Sequence, residues 1–270
     1  MAERFKSPPE IYESLVEVGV QKVNLPAVKL LLLGIMAGVF IGIGSALFTA
    51  VTQDAINGGN AGYASLIGGI VFSVGLMLVI FAGSELFTGN NLIFISTLSK
   101  KTTIKGLLRN WTIVYIGNFI GALILVFLMY HGGLLTGAVG ERALAIANAK
   151  VSLTFMEVLI RGMLANFLVC LAIALASADV HEIGKIFGIL FPIMAFVALG
   201  YEHSIANMYF LPMGILLGKS ALLNWSTMFA KNLIPATIGN IIGGSIFVGL
   251  TYWYIYVKKT SNVKNTNKTK

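Results

Sequence analysis

Long apolar stretches constrain the fold of this chain more than any other feature. A helix that crosses the hydrocarbon core of a membrane needs about 20 apolar residues. Apolar segments of that length or more lie near 30–52, 63–98, 111–130, 153–178, 186–217 and 235–257. Charged residues make up 11% of the chain, against roughly 25% in an ordinary soluble domain. The sequence therefore predicts an all-α membrane protein with six transmembrane helices, spanning 30–257.

The positive charge of the chain follows the predicted topology. With the N-terminus inside the cell, fourteen of the nineteen Lys and Arg residues fall in the cytoplasmic segments 1–29, 99–110, 179–185 and 258–270. Such a bias sets the orientation of membrane proteins. We therefore expect a multi-pass protein of the inner (plasma) membrane with both termini in the cytoplasm and a first span that is retained. The net charge of +8 then has a topological cause, and no nucleic-acid partner is expected.

Two cytoplasmic segments flank the spans. Segment 1–29 is predicted to contain an amphipathic helix, because Ser7 stands three residues before Glu10 in a capping-box pattern. One helical face carries the apolar residues Ile11, Leu15 and Val18. A gating role and simple packing on the bundle are both open for this helix. The polar, basic tail 258–270 is predicted to be disordered and attracted to anionic lipid.

An internal repeat relates the third and sixth spans. The sequences IGNFIGALILVFLMY (116–130) and IGNIIGGSIFVGLTY (238–252) match at a constant offset, which pairs Asn118 with Asn240. Three spans separate the two copies, so they cross the membrane in opposite directions. The sequence thus predicts an inverted repeat, with halves of about 30–130 and 153–257.

The second and fifth predicted spans are too long for one straight crossing. Segments 63–98 and 186–217 would overrun a hydrocarbon core about 30 Å thick at 1.5 Å per residue. Each contains a polar interruption, GSELFTG at 83–89 and GYEHS at 200–204. Breaks at corresponding positions of two inverted halves indicate a substrate site near the membrane midplane.

The residues at these breaks suggest an anion site. Thr88 and Ser204 are predicted to cap the helices that resume after each break, whose positive ends would face one central region. His203 is an ionisable group inside a span, which is a functional candidate; a neutral imidazole bonded at a helix crossing is the alternative. Bare carboxylates would repel an anion. We therefore expect Glu85 and Glu202 to be structural and to accept hydrogen bonds from backbone N–H groups freed by the breaks.

Other chemistry has little support in the sequence. Cys170 is the only cysteine, so neither an intramolecular disulfide nor a cysteine-rich metal site is expected. His181 and Glu182 begin a zinc-hydrolase pattern, but Lys185 stands where the second histidine is required. The sequence therefore predicts no metal, no cofactor and no enzymatic activity.

Four motifs resemble the formate/nitrite transporter family across the whole span region. They are GSELFTG (83–89), NFLVCLA (166–172), GYEHSIANM (200–208) and NLIPATIGNIIGG (232–244). The resemblance implies an aquaporin-like protomer, a homopentamer with one pore per protomer, and passage of small monovalent weak-acid anions such as formate, nitrite or hydrosulfide. Ser84 is shared with nitrite members, whereas NLIPATIGN is closer to formate members.

The resemblance also implies roles for individual residues. The polar centre of the pore would be formed by Thr88, His203 and Asn240. The vestibule or pore lining would include Lys150 and Asn166. Apolar constrictions would be formed by Phe72, Leu76, Phe87, Val169 and Phe196.

A mechanism for anions follows as a hypothesis. Helix ends, Lys150 and a partly protonated His203 would attract the anion, and His203 could then transfer a proton so that a neutral acid passes the constriction. Formate is the favoured substrate. The alternatives are a nitrite- or hydrosulfide-selective channel and, from another class, an aquaporin-like facilitator of neutral solutes.

Overall fold

A computed structural model describes residues 5–56, 60–218 and 220–258. All regular secondary structure within these ranges is helical. The helices of the first half are α1 (Pro8–Val23), α2 (Ala27–Val51), α3 (Ala61–Phe81), α4 (Ile93–Leu98) and α5 (Ile104–His131). The helices of the second half are α6 (Gly137–Ser152), α7 (Phe155–Ala178), α8 (Glu182–Ala198), α9 (Ser204–Leu217) and α10 (Trp225–Val257). Short 3-10 helices lie at Gln53–Ile56 and Gly89–Leu92.

Five of these helices, among the residues described, are long and apolar enough to cross a membrane: α2, α3, α5, α7 and α10. The fifth predicted span is divided between α8, with 17 residues, and α9, with 14. At 1.5 Å per residue these helices reach about 26 and 21 Å, less than the hydrocarbon thickness of about 30 Å. The predicted six helices are therefore not found as six helices of membrane-crossing length, because the fifth span consists of two helices that are each too short to cross alone.

Both predicted interruptions are confirmed. Helix α3 ends at Phe81, and helical structure resumes only at Gly89–Leu92 and α4. Helix α8 ends at Ala198 and α9 begins at Ser204. Each break opens with a glycine in the left-handed region, Gly83 at φ +78° and Gly200 at φ +69°. A side chain at either position would strain the turn that ends the helix.

Equivalent helices pack in equivalent ways in the two halves. Helix α2 lies against α5, as α7 lies against α10, and the two broken spans meet through α3 and α8. Close approach depends on glycine: a Cβ on Gly121 would clash with the backbone of α2, and a Cβ on Gly243 would clash with that of α7. The amphipathic helices α1 and α6 precede α2 and α7, so each half consists of five helices in the same order.

Helix α1 is packed on the bundle. The ring of Tyr12 stacks on that of Tyr252, near the end of α10, with centroids 4.5 Å apart. The Ser96 hydroxyl of α4 donates to the Val16 carbonyl at 2.8 Å. Of the predicted apolar face, Ile11 and Leu15 are buried, whereas Val18 is 39% exposed, because it faces a cavity described below. Of the predicted tail 258–270, all but Lys258 lies outside the described residues.

Candidate functional site

A buried ion-pair network lies at the first break. The Lys22 ammonium of α1 lies 2.8 Å from Oε1 of Glu85 and donates to Oδ1 of Asn90 at 2.9 Å. The Asn90 amide donates to Oε2 of Glu85 at 2.7 Å and to Oδ1 of Asn110, on α5, at 2.9 Å. The carboxylate thus receives one cationic and one neutral donor.

The second break carries the same network. Nζ of Lys150, from α6, lies 2.9 Å from Oε1 of Glu202. The Asn207 amide donates to Oε2 of Glu202 at 2.6 Å and to Oδ1 of Asn232, on α10, at 2.7 Å. Each half therefore brings one lysine, one glutamate and two asparagines together. Among the described residues, the bond from lysine to the first asparagine occurs only at the first break, and a bond from the last asparagine, Asn232, to Glu202 occurs only at the second.

These contacts correct the expected role of Glu85 and Glu202. Both are structural in the sense that they lie in the network at the break, but their carboxylates accept from lysine and asparagine side chains rather than from backbone N–H groups. The physical reason is that the lysine supplies a full counter-charge as well as a hydrogen bond, which offsets more of the cost of burying a carboxylate than a hydrogen bond alone.

The freed backbone groups are bound by asparagine side chains instead. The Asn240 amide donates to the carbonyls of Gly162 and Glu202 at 2.8 and 3.0 Å, and its Oδ1 accepts from Ser204 N–H at 2.9 Å. Asn118 forms the equivalent three bonds in the first half, with Gly34, Glu85 and Phe87. Both amide hydrogens of Asn240 are thus engaged with backbone, which favours a role in fixing the break.

His203 and Thr88 join the two breaks directly. Nε2 of His203 lies 2.8 Å from the Thr88 hydroxyl oxygen. Nδ1 of His203 accepts from the backbone N–H of Ala206 at 3.1 Å. A backbone N–H only donates, so Nδ1 is unprotonated and the ring hydrogen is on Nε2. The imidazole is therefore neutral and donates to Thr88.

The helix caps differ from the prediction. His203, not Ser204, is the N-cap of α9, through the bond from Ala206 N–H. Ser204 is the first residue of α9, and its hydroxyl has no hydrogen-bond partner. Thr88 stands at the start of the 3-10 turn, but its side chain makes no cap bond because it is bonded to His203. The contact between His203 and Thr88 therefore determines which side chain caps each helix.

Asn166 lies in the core between the breaks. Its amide is 2.7 Å from the Asn240 carbonyl, 2.8 Å from Oδ1 of Asn91 and 3.2 Å from the Thr88 carbonyl. Asn166 is fully buried and lines neither cavity described below. Its amide thus connects the first break, through the Thr88 carbonyl, to helix α10, through the Asn240 carbonyl.

A cavity of about 280 Å³ reaches His203 from the α6 side; we call it the His203-side cavity. Lys150 and Glu202 line it together with two arginines, Arg142 and Arg161. Its walls include Phe72 and Phe196, whose rings meet edge to face with centroids 5.6 Å apart.

A smaller cavity of about 170 Å³ lies at the first break, between α1 and the broken second span; we call it the Lys22-side cavity. Lys22 and Asn90 line it, with mostly apolar neighbours such as Leu86. Leu86 follows Glu85 as His203 follows Glu202, so the two cavities occupy equivalent places in the repeat.

The structure separates the five predicted constriction residues. Phe72 and Phe196 line the His203-side cavity. Leu76 and Val169 are buried in the core and line neither of the two cavities. Phe87 also lines neither, because its ring packs edge-on against two aromatic rings of α5 at centroid distances of 4.9 and 6.0 Å.

Comparison with known proteins agrees with this architecture. The family model described as formate/nitrite transporter matches residues 9–254. The protein named probable formate transporter of Methanothermobacter thermautotrophicus is 43% identical over 277 residues, covering 96% of this chain and 100% of that protein. The formate channel FocA of Escherichia coli (strain K12) is 40% identical over 267 residues, covering 91% and 93%.

Two solved structures are similar over most of their length. A pentameric formate channel with formate bound has a TM-score of 0.78 and 38% identity, covering 86% of this chain and 98% of the other. An FNT family ion channel has a TM-score of 0.85 and 27% identity, covering 91% and 98%. With the family match over nearly its whole length and five apolar helices of membrane-crossing length, this chain is an integral membrane protein that belongs to the formate/nitrite transporter family.

Proposed function

We propose that this protein is a membrane channel for small monovalent weak-acid anions and that formate is its main substrate. The observation that carries the proposal is the hydrogen bond that joins the two breaks, between His203, which lines the His203-side cavity, and Thr88, which is fully buried behind it and lines neither cavity. The names of relatives over nearly the whole chain, formate transporter and formate channel, support formate among the candidate anions.

The first step is recognition by Thr88. Its hydroxyl oxygen accepts from His203 Nε2–H, so its own hydrogen is directed elsewhere, and the structure gives that hydrogen no acceptor among the described residues. A carboxylate oxygen arriving from the His203-side cavity is a suitable acceptor. Hydrogen bonds to a charged acceptor are stronger than neutral ones, so this bond offsets part of the lost hydration.

The second step is passage through an apolar region. Even the mildest scale assigns a charged side chain at the bilayer centre a cost of roughly 2.5–3.5 kcal/mol. The N-terminus of α9 carries positive partial charge beside His203 and lowers that cost for an anion. Conversion to the neutral acid lowers it further: an imidazole protonated at both nitrogens gives its Nε2 proton to the Thr88 hydroxyl oxygen as that hydroxyl gives its own proton to the carboxylate, which leaves His203 neutral. A proton reaches His203 Nδ1 only when the bond from Ala206 N–H opens, so protonation of His203 is coupled to release of the α9 cap.

Closure between the cavities is assigned to apolar side chains. Leu76 and Val169 lie in the buried core outside both cavities, and Phe72 and Phe196 narrow the His203-side cavity. We assign these four residues to the constriction. Asn166 and Asn240 hold the surrounding backbone rather than contact the anion.

The orientation follows from the charge distribution. With the lysine- and arginine-rich segments in the cytoplasm, both termini lie inside, the Lys22-side cavity opens inward and the His203-side cavity opens outward. A plasma (inner) membrane location is part of the same proposal.

The assembly is proposed by similarity. The matched channel with formate bound is pentameric, and this chain aligns with 98% of it. We assign the protein to a homopentamer in which each protomer has its own passage. The passage elements described above all lie within one protomer, which supports this assignment.

Transport in liposomes tests the function. Purified protein is reconstituted, and the initial uptake of formate, nitrite, hydrosulfide and glycerol is measured separately. We expect saturable formate uptake well above that of protein-free liposomes, with formate the fastest of the three anions and little glycerol uptake. Formate uptake equal to the protein-free background would overturn the proposal, and rapid glycerol uptake without a pH response would favour a neutral-solute facilitator.

A further inference from the structure

The two cavities differ in net charge, although the repeat makes them equivalent. Lys150 is paired with Glu202 at 2.9 Å, and Lys22 with Glu85 at 2.8 Å. Each pair is half-buried or buried and sums to zero formal charge. Neither lysine therefore adds net positive charge to its cavity, although a lysine in such a place is the obvious candidate for attracting an anion.

Arg142 and Arg161 account for the difference in net charge between the two cavities. Both line the His203-side cavity, where Glu202 is the only carboxylate among the described lining residues. With His203 neutral, the formal charge of the lining is then +2. In the described lining of the Lys22-side cavity, Lys22 is the only charged side chain, and it is paired with Glu85.

The repeat identifies what stands at the equivalent positions. Lys22 and Lys150 are 128 positions apart, and the same spacing relates Leu33 to Arg161. The backbone confirms that pairing, because the Leu33 carbonyl accepts from Glu85 N–H as the Arg161 carbonyl accepts from Glu202 N–H, at 3.2 and 3.3 Å. An arginine thus occupies on one side the place that a leucine occupies on the other.

A ligand that binds the Arg161 guanidinium would not have to displace a hydrogen bond within the protein. It makes no hydrogen bond or ion pair with any residue that the structure describes. Glu157, one turn earlier on α7, is exposed and bonded to Thr154, and the Arg161 charge acts on it only through the electrostatic field. All five of its N–H donors are available to a ligand.

Arg142 is partly engaged. Its Nε donates to the Thr52 hydroxyl at 2.9 Å, and its guanidinium lies 5.9 Å from the centre of the Phe48 ring. Its terminal nitrogens make no hydrogen bond within the described part of the chain. A guanidinium presents a planar pair of donors that matches the two oxygens of a carboxylate.

We propose that Arg142 and Arg161, rather than the paired Lys150, form an anion-capture site in the His203-side cavity and make the two faces of the passage unequal in their affinity for the anion. The inference rests on the proposed function and extends it to a second site in front of Thr88. Its consequence is a lower half-saturating anion concentration at the His203-side face than at the Lys22-side face.

A matched pair of variants tests the capture site. Arg161→Gln removes a positive charge from the cavity, whereas Lys231→Gln removes one from an exposed position next to Asn232 that does not line it. Half-saturating formate concentrations are measured for each face in right-side-out and everted membrane vesicles. We expect Arg161→Gln to raise the half-saturating formate concentration about three- to tenfold at the His203-side face only. Arg161→Lys keeps the positive charge, so its half-saturating concentration should lie close to that of the unchanged protein.

Ionic strength provides a test on the unchanged protein. Raising it from 0.01 to 0.15 M shortens the screening length from about 30 to about 8 Å. The half-saturating formate concentration should rise several-fold more at the His203-side face than at the Lys22-side face. Equal rises, or an effect of Arg161→Gln no larger than that of Lys231→Gln, would overturn the capture site. Absence of formate flux in the unchanged protein would instead overturn the proposed function.

Discussion

Nε2 of His203 and the hydroxyl of Thr88 are 2.8 Å apart, although the two residues are separated by 115 positions and belong to opposite halves of the repeat. The bond connects two interrupted helices that have no backbone hydrogen bond to each other at this point. It also fixes the direction of the Thr88 hydroxyl, since the imidazole hydrogen occupies one side of that oxygen. The predictions below concern this hydrogen bond and the side-chain networks at the two breaks.

Loss of the Thr88 hydroxyl should impair formate flux. Thr88→Val keeps the shape of the side chain but removes the donor to the anion, whereas Thr88→Ser keeps the donor. Hydrogen bonds to charged groups contribute about 1.5–3 kcal/mol, so flux through Thr88→Val should fall about ten- to a hundredfold. Initial formate uptake in liposomes is the measurement. Equal flux through the Val and Ser variants would contradict the role of the hydroxyl.

Replacement of His203 by asparagine should flatten the pH dependence of flux. Asparagine is a good N-cap, so the bond from Ala206 N–H is retained while the titrating group is removed. If His203 passes a proton to the anion, as proposed, formate uptake through the unchanged protein should rise as pH falls from 8 to 5 beyond the protein-free background. His203→Asn should lose most of this rise. A profile identical to that of the unchanged protein would eliminate proton transfer at His203.

Asn118 and Asn240 should contribute similarly to stability. Asn240→Leu leaves two carbonyls and one N–H of the break without their partner, and Asn118→Leu does the same in the first half. Each unsatisfied buried group costs about 1–3 kcal/mol, so each variant should lose several kcal/mol of stability. Thermal unfolding in detergent, followed by tryptophan fluorescence, measures the loss. A marginal effect of either substitution would argue against the backbone role.

The Lys150–Glu202 pair should show strong coupling. Removing one partner of a buried pair costs about 3–5 kcal/mol, because the remaining charge is left uncompensated. Lys150→Met and Glu202→Gln should each lower the unfolding temperature strongly, and the double variant should be less destabilised than the sum of the two. A double-mutant cycle on unfolding temperatures measures the coupling. Strict additivity would mean that the two groups act independently.

Segment lengths and glycines made the breaks predictable from the sequence. A span longer than the membrane is thick must bend or break, and a polar stretch that begins with a glycine marks the position of the break. The identity of the cap was not predictable in the same way. Serine ranks above histidine as an N-cap, but the contact of His203 with Thr88 places its Nδ1 toward Ala206 and makes histidine the cap.

The role of Lys22 was missed because the repeat has no single offset. The asparagines Asn110 and Asn232 are 122 positions apart, the glutamates Glu85 and Glu202 are 117 apart, and Lys22 and Lys150 are 128 apart. The connections between helices differ in length in the two halves. A comparison of the sequence with itself at one fixed offset therefore detects only the match between the last spans of the two halves. Alignment of each helix separately would have paired Lys22 with Lys150 and indicated its glutamate partner.

The stacking of Tyr12 on Tyr252 has a consequence for biosynthesis. The ribosome makes α1 first, yet the surface against which α1 rests includes a residue near the far end of the chain. The packing of α1 is therefore complete only after α10 has inserted. The half of the molecule that is synthesised first thus waits for the last helix of the chain.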